Sequence, residues 1–350
     1  MEGQGAYNRS SRVQATGSSP AVPSLEKAAR QVDLAVPPEP IVIADYGSSQ
    51  GHNSLRPLTA AIGALRERIG RERAISVVHT DLQGNDFTAL FKVLAADPGS
   101  YLRGDPAVFP CAVGRSFYEQ ILPSSSVTLG WSSWAVQWLS RLPALIPDQV
   151  QVAYSRDAAA RAAFFKQAAE DWRCFLTHRG AELRSGGRLV VLSMAVDEHG
   201  DFGYRAAVAA IYGSLLDLLE EGFLSLEEVR SMVIPTVGRS RQDFMAPFAE
   251  SQSFAGLSVE EIELFYGEDQ IWSEFQSYGD ARAFGARWAA FSRASVCPTL
   301  AAGLDDRDKR APEFIDRMEA RMTARLAVAP ERMLIPLAKM VLVKGSPGVK

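Results

Sequence analysis

Ile41-Val42-Ile43-Ala44-Asp45-Tyr46-Gly47-Ser48-Ser49-Gln50-Gly51 decides the fold. Four apolar residues end in an acid, and a short polar loop bounded by two glycines follows. Leu58, Ala61, Ile62 and Leu65 then recur at helical spacing within Leu55–Ile69. The unit is a strand, a glycine loop and a helix. A continuous apolar run, rather than an alternating one, suits a strand covered on both faces.

The pattern repeats outward from this unit. Ala74–His79 predicts a second strand, closed by Thr80-Asp81, and Asp86 predicts the cap of a helix carrying Phe87, Leu90, Phe91 and Leu94. Val108–Val113 and Ser126–Trp131 read as further strands. A long helix from Ala158 to Leu183 stops at Ser185-Gly186-Gly187, and Arg188–Val196 reads as a buried strand. This alternation predicts an α/β fold over residues 40–203, with a doubly wound, Rossmann-like parallel sheet. Residues 1–39 are rich in Gly, Ser and Pro and read as an arm rather than a core element. Residues 204–325 read as a mostly helical cap without convincing strands, its clearest helices being Ala206–Glu221, Ser225–Ser231 and Ala281–Leu300. Residues 326–350 return a last strand or two to the sheet through Met333–Lys344.

A formal net charge of −4 argues against a nucleic-acid partner, which favours a strongly basic face. No apolar stretch approaches the roughly 20 residues of a membrane span. No basic, then apolar, leader opens the chain. Cys111, Cys174 and Cys297 are too far apart for a zinc knuckle or a disulfide framework, so a reducing cytoplasm is the expected location. His52, His79, His178 and His199 have no metal-ligand spacing and read as loop or surface residues, so no metal is expected.

Ligands of open α/β sheets sit at the carboxyl ends of the strands, where strand order reverses. Asp45 and Asp81 close two successive strands there. Two carboxylates suit a ligand with an amino group and a ribose diol, as S-adenosylmethionine has. A dinucleotide site wants G-x-G-x-x-G with amides facing a pyrophosphate, whereas this loop has only Gly47 and Gly51 and places an acid beside them. A purely structural strand–turn–helix is the third reading, in which both acids merely cap helices.

Five ordered motifs go further. Ala44–Ser54 resembles the A-D-L-G-C-S-S-G-P-N-T motif of the SABATH carboxyl methyltransferases. Asp81-Leu82-Gln83-Gly84-Asn85-Asp86-Phe87 is similar to that family's D-L-P-G-N-D-F, and Gly114-Arg115-Ser116-Phe117-Tyr118 to its G-S-F-Y. Trp131–Ser140 resembles H-S-S-Y-S-L-M-W-L-S, with Pro143 following. In the arm, Ala6–Gln14 resembles S-Y-A-x-N-S-x-x-Q. Tyr46, Gln50 and His52 depart from the motif's Leu, Ser and Pro. Weaker echoes occur at Glu221-Gly222-Phe223-Leu224 and at Ile234-Pro235.

The resemblance implies S-adenosylmethionine as cofactor, a homodimer, and a small hydrophobic carboxylic acid as substrate. It implies that Tyr7, Ser11, Asp45, Gly47 and Asn53 surround the methionine end of the cofactor. Asp81 would take the ribose hydroxyls, Leu82 would lie against the adenine, and Ser116 and Phe117 would complete that pocket. Gln14 and Trp138 would hold the substrate carboxylate. A carboxyl group is ionised near neutral pH, so methyl transfer to it needs no general base, and alignment in a dry pocket is the protein's task. Trp131, Trp134 and Trp138, with Gln137, suggest an apolar pocket with one polar handle. Any one of these tryptophans alone would read as a core aromatic. Ala207, Val208 and Ala209 stand where aromatic-acid members carry a bulky lid. Small residues there favour a medium- or long-chain fatty acid over salicylate, benzoate or indole-acetate.

Overall fold

The computed structural model describes residues 19–34, 36–304 and 309–345. Eight strands form one sheet: β1 (Ile41–Tyr46), β2 (Ile75–Asp81), β3 (Val108–Gly114), β4 (Val127–Ser133), β5 (Leu183–Met194), β6 (Ser253–Phe254), β7 (Leu257–Tyr266) and β8 (Pro336–Lys344). Their spatial order is β3-β2-β1-β4-β5-β8-β7-β6. β1 to β5 run parallel, and β8 is antiparallel to both β5 and β7. Strand order reverses at the β1–β4 pair, so the loops leaving β1, β2 and β4 open on one crevice.

Helices cover both faces. α1 (Val22–Gln31) packs on α2 (His52–Ile69), and α3 (Phe87–Ala96) follows β2. α4 (Ala158–Glu182) covers the opposite face, where Trp172, Phe175 and Leu176 pack with Tyr46 and Val191. Successive strand residues divide between the faces with period two: Trp131, Val190 and Leu192 join the cluster containing Leu58 and Ile62, whereas Leu189 and Val191 join that of α4. The cap holds α5 (Arg205–Glu220), α6 (Leu226–Ser231), α7 (Arg241–Met245), α8 (Gln270–Tyr278), α9 (Ala281–Ser295), α10 (Cys297–Ala301) and α11 (Ala311–Val328). α11 packs against both α5 and α9, burying Phe314, Met318 and Met322 completely. Among the described residues no helix is long and apolar enough to cross a membrane.

Several expectations are corrected. The arm contains a core helix: in α1, Leu25, Ala28 and Ala29 are buried at helical spacing, and Pro23 sits in the first turn where it is tolerated. The stretch expected to be all helical contributes β6 and β7. A register shift between Val259 and Glu261 interrupts the alternation of β7, which conceals it from a period-two reading. β5 begins at Leu183, directly on the end of α4, because Gly186 at φ +72 turns within the strand rather than before it. The expected single helix 281–300 breaks at Val296, ahead of Pro298.

Candidate active site

The glycine loop is held by backbone before any ligand is considered. The amides of Gly47 and Ser48 both donate to the carbonyl of Thr80, at 2.9 and 3.0 Å. Gly47 adopts φ +87, and a Cβ there would lie 2.5 Å from the Cβ of Ala135, in the loop after β4. Only glycine meets both demands. Ser49 donates its amide to Asp81 Oδ2 at 2.7 Å, and Leu82 donates its own to Oδ1 at 2.8 Å. Asn85 Nδ2 donates to the Ser49 carbonyl at 2.7 Å, completing the link between the first two strand-end loops.

Each Asp81 oxygen thus accepts one backbone N–H and keeps a lone pair toward the crevice. Burial raises the Asp81 pKa above the usual carboxylate range, the two N–H bonds oppose that shift, and the nearby charge of Asp45 adds to it. Such a group gains from two further donors, and a ribose diol offers two.

A cavity of about 640 Å³ starts at Gly47, Asp81 and Leu82 and passes Ser116 and Phe117. Leu82 lines this end of the cavity and is 60% exposed. The cavity continues past Trp134, Gln137 and Trp138 into an apolar chamber. Met194, Phe202 and Tyr204 wall one side of that chamber, and Ala207, Val208 and Ile211 of α5 the other. Phe291 of α9 and Val296, at the junction of α9 and α10, also line it.

The segment after β4 positions the aromatic groups. Trp134 stands at φ +56, a left-handed conformation rare for a bulky residue, with its amide donating to Leu192 O at 3.0 Å. Such strain persists where surrounding structure imposes it, often at functional sites. Trp138 bridges to Thr236, and Leu139 N donates to Pro235 O while Val237 N donates to Gln137 O. Gln137 is buried, and its side-chain oxygen accepts from Ser193 Oγ at 3.3 Å.

Three expected site residues lie elsewhere. Trp131 is 1% exposed within the main core and does not line the cavity. Asp45 is buried, with Oδ2 2.9 Å from His79 Nδ1, and does not line the cavity. Asn53 sits in the first turn of α2, half-buried and outside the lining. Tyr7, Ser11 and Gln14 lie outside the described residues.

His79 corrects its own reading as a loop or surface histidine. It lies on β2 directly opposite Asp45, fully buried, and its Nε2 is 2.8 Å from Tyr101 Oη. Tyr118, Gln151 and Thr236 were not singled out from sequence. Gln151 Nε2 donates to the Thr236 carbonyl at 2.8 Å, a pairing across 85 residues that no local pattern announces.

With this geometry in view, the relatives decide the family. Residues 1–342 match the family described as SAM dependent carboxyl methyltransferase. The chain belongs to that family. An anthranilate O-methyltransferase of Zea mays is 28% identical over 345 residues, covering 90% of this chain and 89% of the relative. Methyltransferase LUC1 of Fusarium sp is 28% identical over 248 residues, 69% of this chain; the chain spans 64% of that relative's length. A solved loganic acid methyltransferase superposes with a TM-score of 0.78 at 20% identity, covering 99% of this chain and 98% of its own, and so shares the fold.

Family membership carries S-adenosylmethionine with it, and the residues present fit that cofactor. The Gly47 cradle, which a Cβ would fill, and the two remaining Asp81 lone pairs are the features that fit. Asp81 would take the ribose hydroxyls, and Leu82, Ser116 and Phe117 would hold the adenine.

Proposed function

We propose that this protein transfers a methyl group to the carboxylate of a hydrophobic acid, and that the acid is a medium- or long-chain fatty acid. The carrying observation is the continuity of the cavity. A polar half at Gly47 and Asp81 opens past Trp138 and Gln137 into a chamber lined mainly by apolar side chains, with Gln151, Thr236, Ser292 and Thr299 among them.

When bound, S-adenosylmethionine would supply the methyl group from its sulfonium to the carboxylate, S-adenosylhomocysteine being the product. The protein supplies alignment. Trp138 has a single side-chain donor, its indole N–H, suited to hold one carboxylate oxygen while the other faces the methyl group. Gln137 presents its amide on the same wall. Gln14, outside the described residues, is assigned as the second carboxylate donor on sequence resemblance alone. Tyr7 and Ser11 are assigned to the methionine end of the cofactor on the same ground. Phe202, Tyr204 and Phe291 exclude water, which strengthens every polar contact made by the anion.

Ala207 and Val208 put small side chains on the α5 wall of the chamber, which suits a flexible chain. A second reading, a small aromatic acid, is favoured by the ring-rich wall of Phe202, Tyr204 and Phe291 and by the anthranilate named in the maize relative. Resemblance supports a homodimer, and the widely spaced cysteines support a reducing cytoplasm.

The test is methyl-ester formation from labelled S-adenosylmethionine with fatty acids of graded length beside salicylate, benzoate, anthranilate and indole-acetate. An optimum at one chain length supports the fatty-acid reading. Activity only with aromatic acids transfers the proposal to the second reading, and cofactor binding without any ester overturns carboxyl methylation.

A further inference from the structure

The cavity wall contains a polar group that neither the cofactor nor the acid needs to touch. Tyr118 Oη donates to the main-chain carbonyl of Trp138 at 2.6 Å and lies 3.4 Å from that of Val136. A phenol has one proton to donate, so the shorter bond, to Trp138, is the principal one. The neighbouring carbonyl is held from behind: the buried guanidinium of Arg239 donates through Nη1 to Val136 O at 2.6 Å and through Nη2 to Ala168 O at 2.8 Å.

Tyr118 is itself anchored on the cofactor side. Its amide donates to Ser116 Oγ at 3.2 Å, its carbonyl accepts from Cys174 Sγ at 3.1 Å, and its ring stacks edge-on against Phe117 at 4.7 Å. Burial holds its pKa well above the ordinary phenol value, so the hydroxyl stays a donor throughout the working pH range. The segment it grips leaves β4 through the left-handed Trp134 and, among the described residues, has no sheet partner of its own beyond the Trp138–Thr236 bridge.

We propose that Tyr118 is a positioning residue for the methyl-acceptor site: its hydroxyl fixes the main chain of Trp138, and so aims the indole N–H that grips the substrate carboxylate. This inference rests on the reading of Trp138 as a carboxylate donor. An error of about 1 Å in that aim can cost on the order of a hundredfold in rate. Loss of one net hydrogen bond corresponds to about a five- to tenfold effect.

The test is a double-mutant cycle on the full chain with Tyr118→Phe, Trp138→Ala and the combination. The acid is dodecanoate, or salicylate where dodecanoate gives no ester. Binding of S-adenosylhomocysteine by calorimetry reports the integrity of the cofactor half. Tyr118→Phe is expected to lower kcat/KM for the acid about five- to tenfold, with S-adenosylmethionine KM changed less than about twofold. Because Tyr118 acts through Trp138, the double variant should be no slower than Trp138→Ala alone. A multiplicative double variant, a Tyr118→Phe enzyme with unaltered kinetics, or one that no longer binds S-adenosylhomocysteine each overturns the positioning role. A Trp138→Ala enzyme as fast as the parent overturns the reading of Trp138, and this inference with it.

Discussion

Tyr46 Oη donates to Glu182 Oε2 at 2.7 Å, joining the first strand of the sheet to the last residue of α4 across 136 positions of sequence. Glu182 is fully buried and also accepts from Arg179 Nε and Nη2, at 2.9 and 2.8 Å, and from the amides of Ile121 and Leu122. Arg179, stacked 4.3 Å over the Tyr46 ring, donates onward to the carbonyls of Phe117 and Glu119. The tyrosine that replaces the motif leucine is therefore part of the support for the adenine-side loop.

Breaking this network from one side leaves a charge buried without its partner. Arg179→Met should destabilise the protein by about 3–5 kcal/mol and raise the S-adenosylmethionine KM. Tyr46→Phe, which removes only a hydroxyl, should cost about 1 kcal/mol. Urea unfolding of the two variants beside the parent measures both. Equal effects would show that the arginine–glutamate pair is not the dominant element.

Acidification should weaken cofactor binding through Asp81. Its pKa is raised by burial, so it takes up a proton above the ordinary carboxylate value of about 4. Because the folded value exceeds the unfolded one, its stabilising contribution is full below the unfolded pKa and is lost as pH rises through the folded pKa. On the proposed role of Asp81, cofactor binding should have the opposite dependence, since only the carboxylate could accept both ribose hydroxyls. The S-adenosylmethionine KM should therefore climb as pH falls toward the raised value. Asp81→Asn should raise KM more than about tenfold and flatten the pH profile. A variant that keeps the parent's slope places the titrating group elsewhere.

Gly47→Ala tests the meeting point of the two strand-end loops. The added Cβ would lie 2.5 Å from Ala135 Cβ, at a φ of +87 that disfavours any side chain. The strain should cost about 1–3 kcal/mol and weaken S-adenosylhomocysteine binding at least about tenfold. Thermal unfolding and calorimetric titration are the readouts. Unchanged binding in a destabilised variant would separate the glycine's structural role from the ligand.

Val208→Trp tests the apolar chamber. Val208 is buried on the cavity wall of α5, and a tryptophan there projects into the space proposed for the acid's far end. The longest fatty acid accepted should shorten by several carbons, about the extra length of the indole, while the S-adenosylmethionine KM stays near the parent value. Overpacking should cost about 1–3 kcal/mol of stability. A chain-length profile identical to the parent's would place the acid outside this chamber.

Much of the fold was legible locally. The runs of β1, β2, β3 and β4, the glycine loop and the Asp86 cap each declare themselves within a dozen residues, because backbone propensity, capping and pleat are short-range effects. Asp86 indeed accepts the Ala89 amide at 2.9 Å. Motif order singled out Gly47, Asp81, Leu82, Ser116, Phe117, Trp134, Gln137 and Trp138, and all eight line one cavity. β7 escaped because its bulge breaks the period, and α1 because Pro23 within it and the prolines on either side masked its five buried positions.

What sequence alone determined is the order of strands and loops, and hence which chain segments reach the crevice. What only the tertiary structure decided is the direction each side chain takes on arriving there. Asp45 turns to His79 because parallel pairing sets those two residues side by side, a register no local pattern encodes. Trp131, Trp134 and Trp138 read alike in sequence. One enters the core from β4, one turns through a left-handed backbone, and one is held by a tyrosine hydroxyl 20 residues upstream. Side-chain direction at a strand end depends on partners distant in the chain, and those partners exist only once the sheet has closed around them.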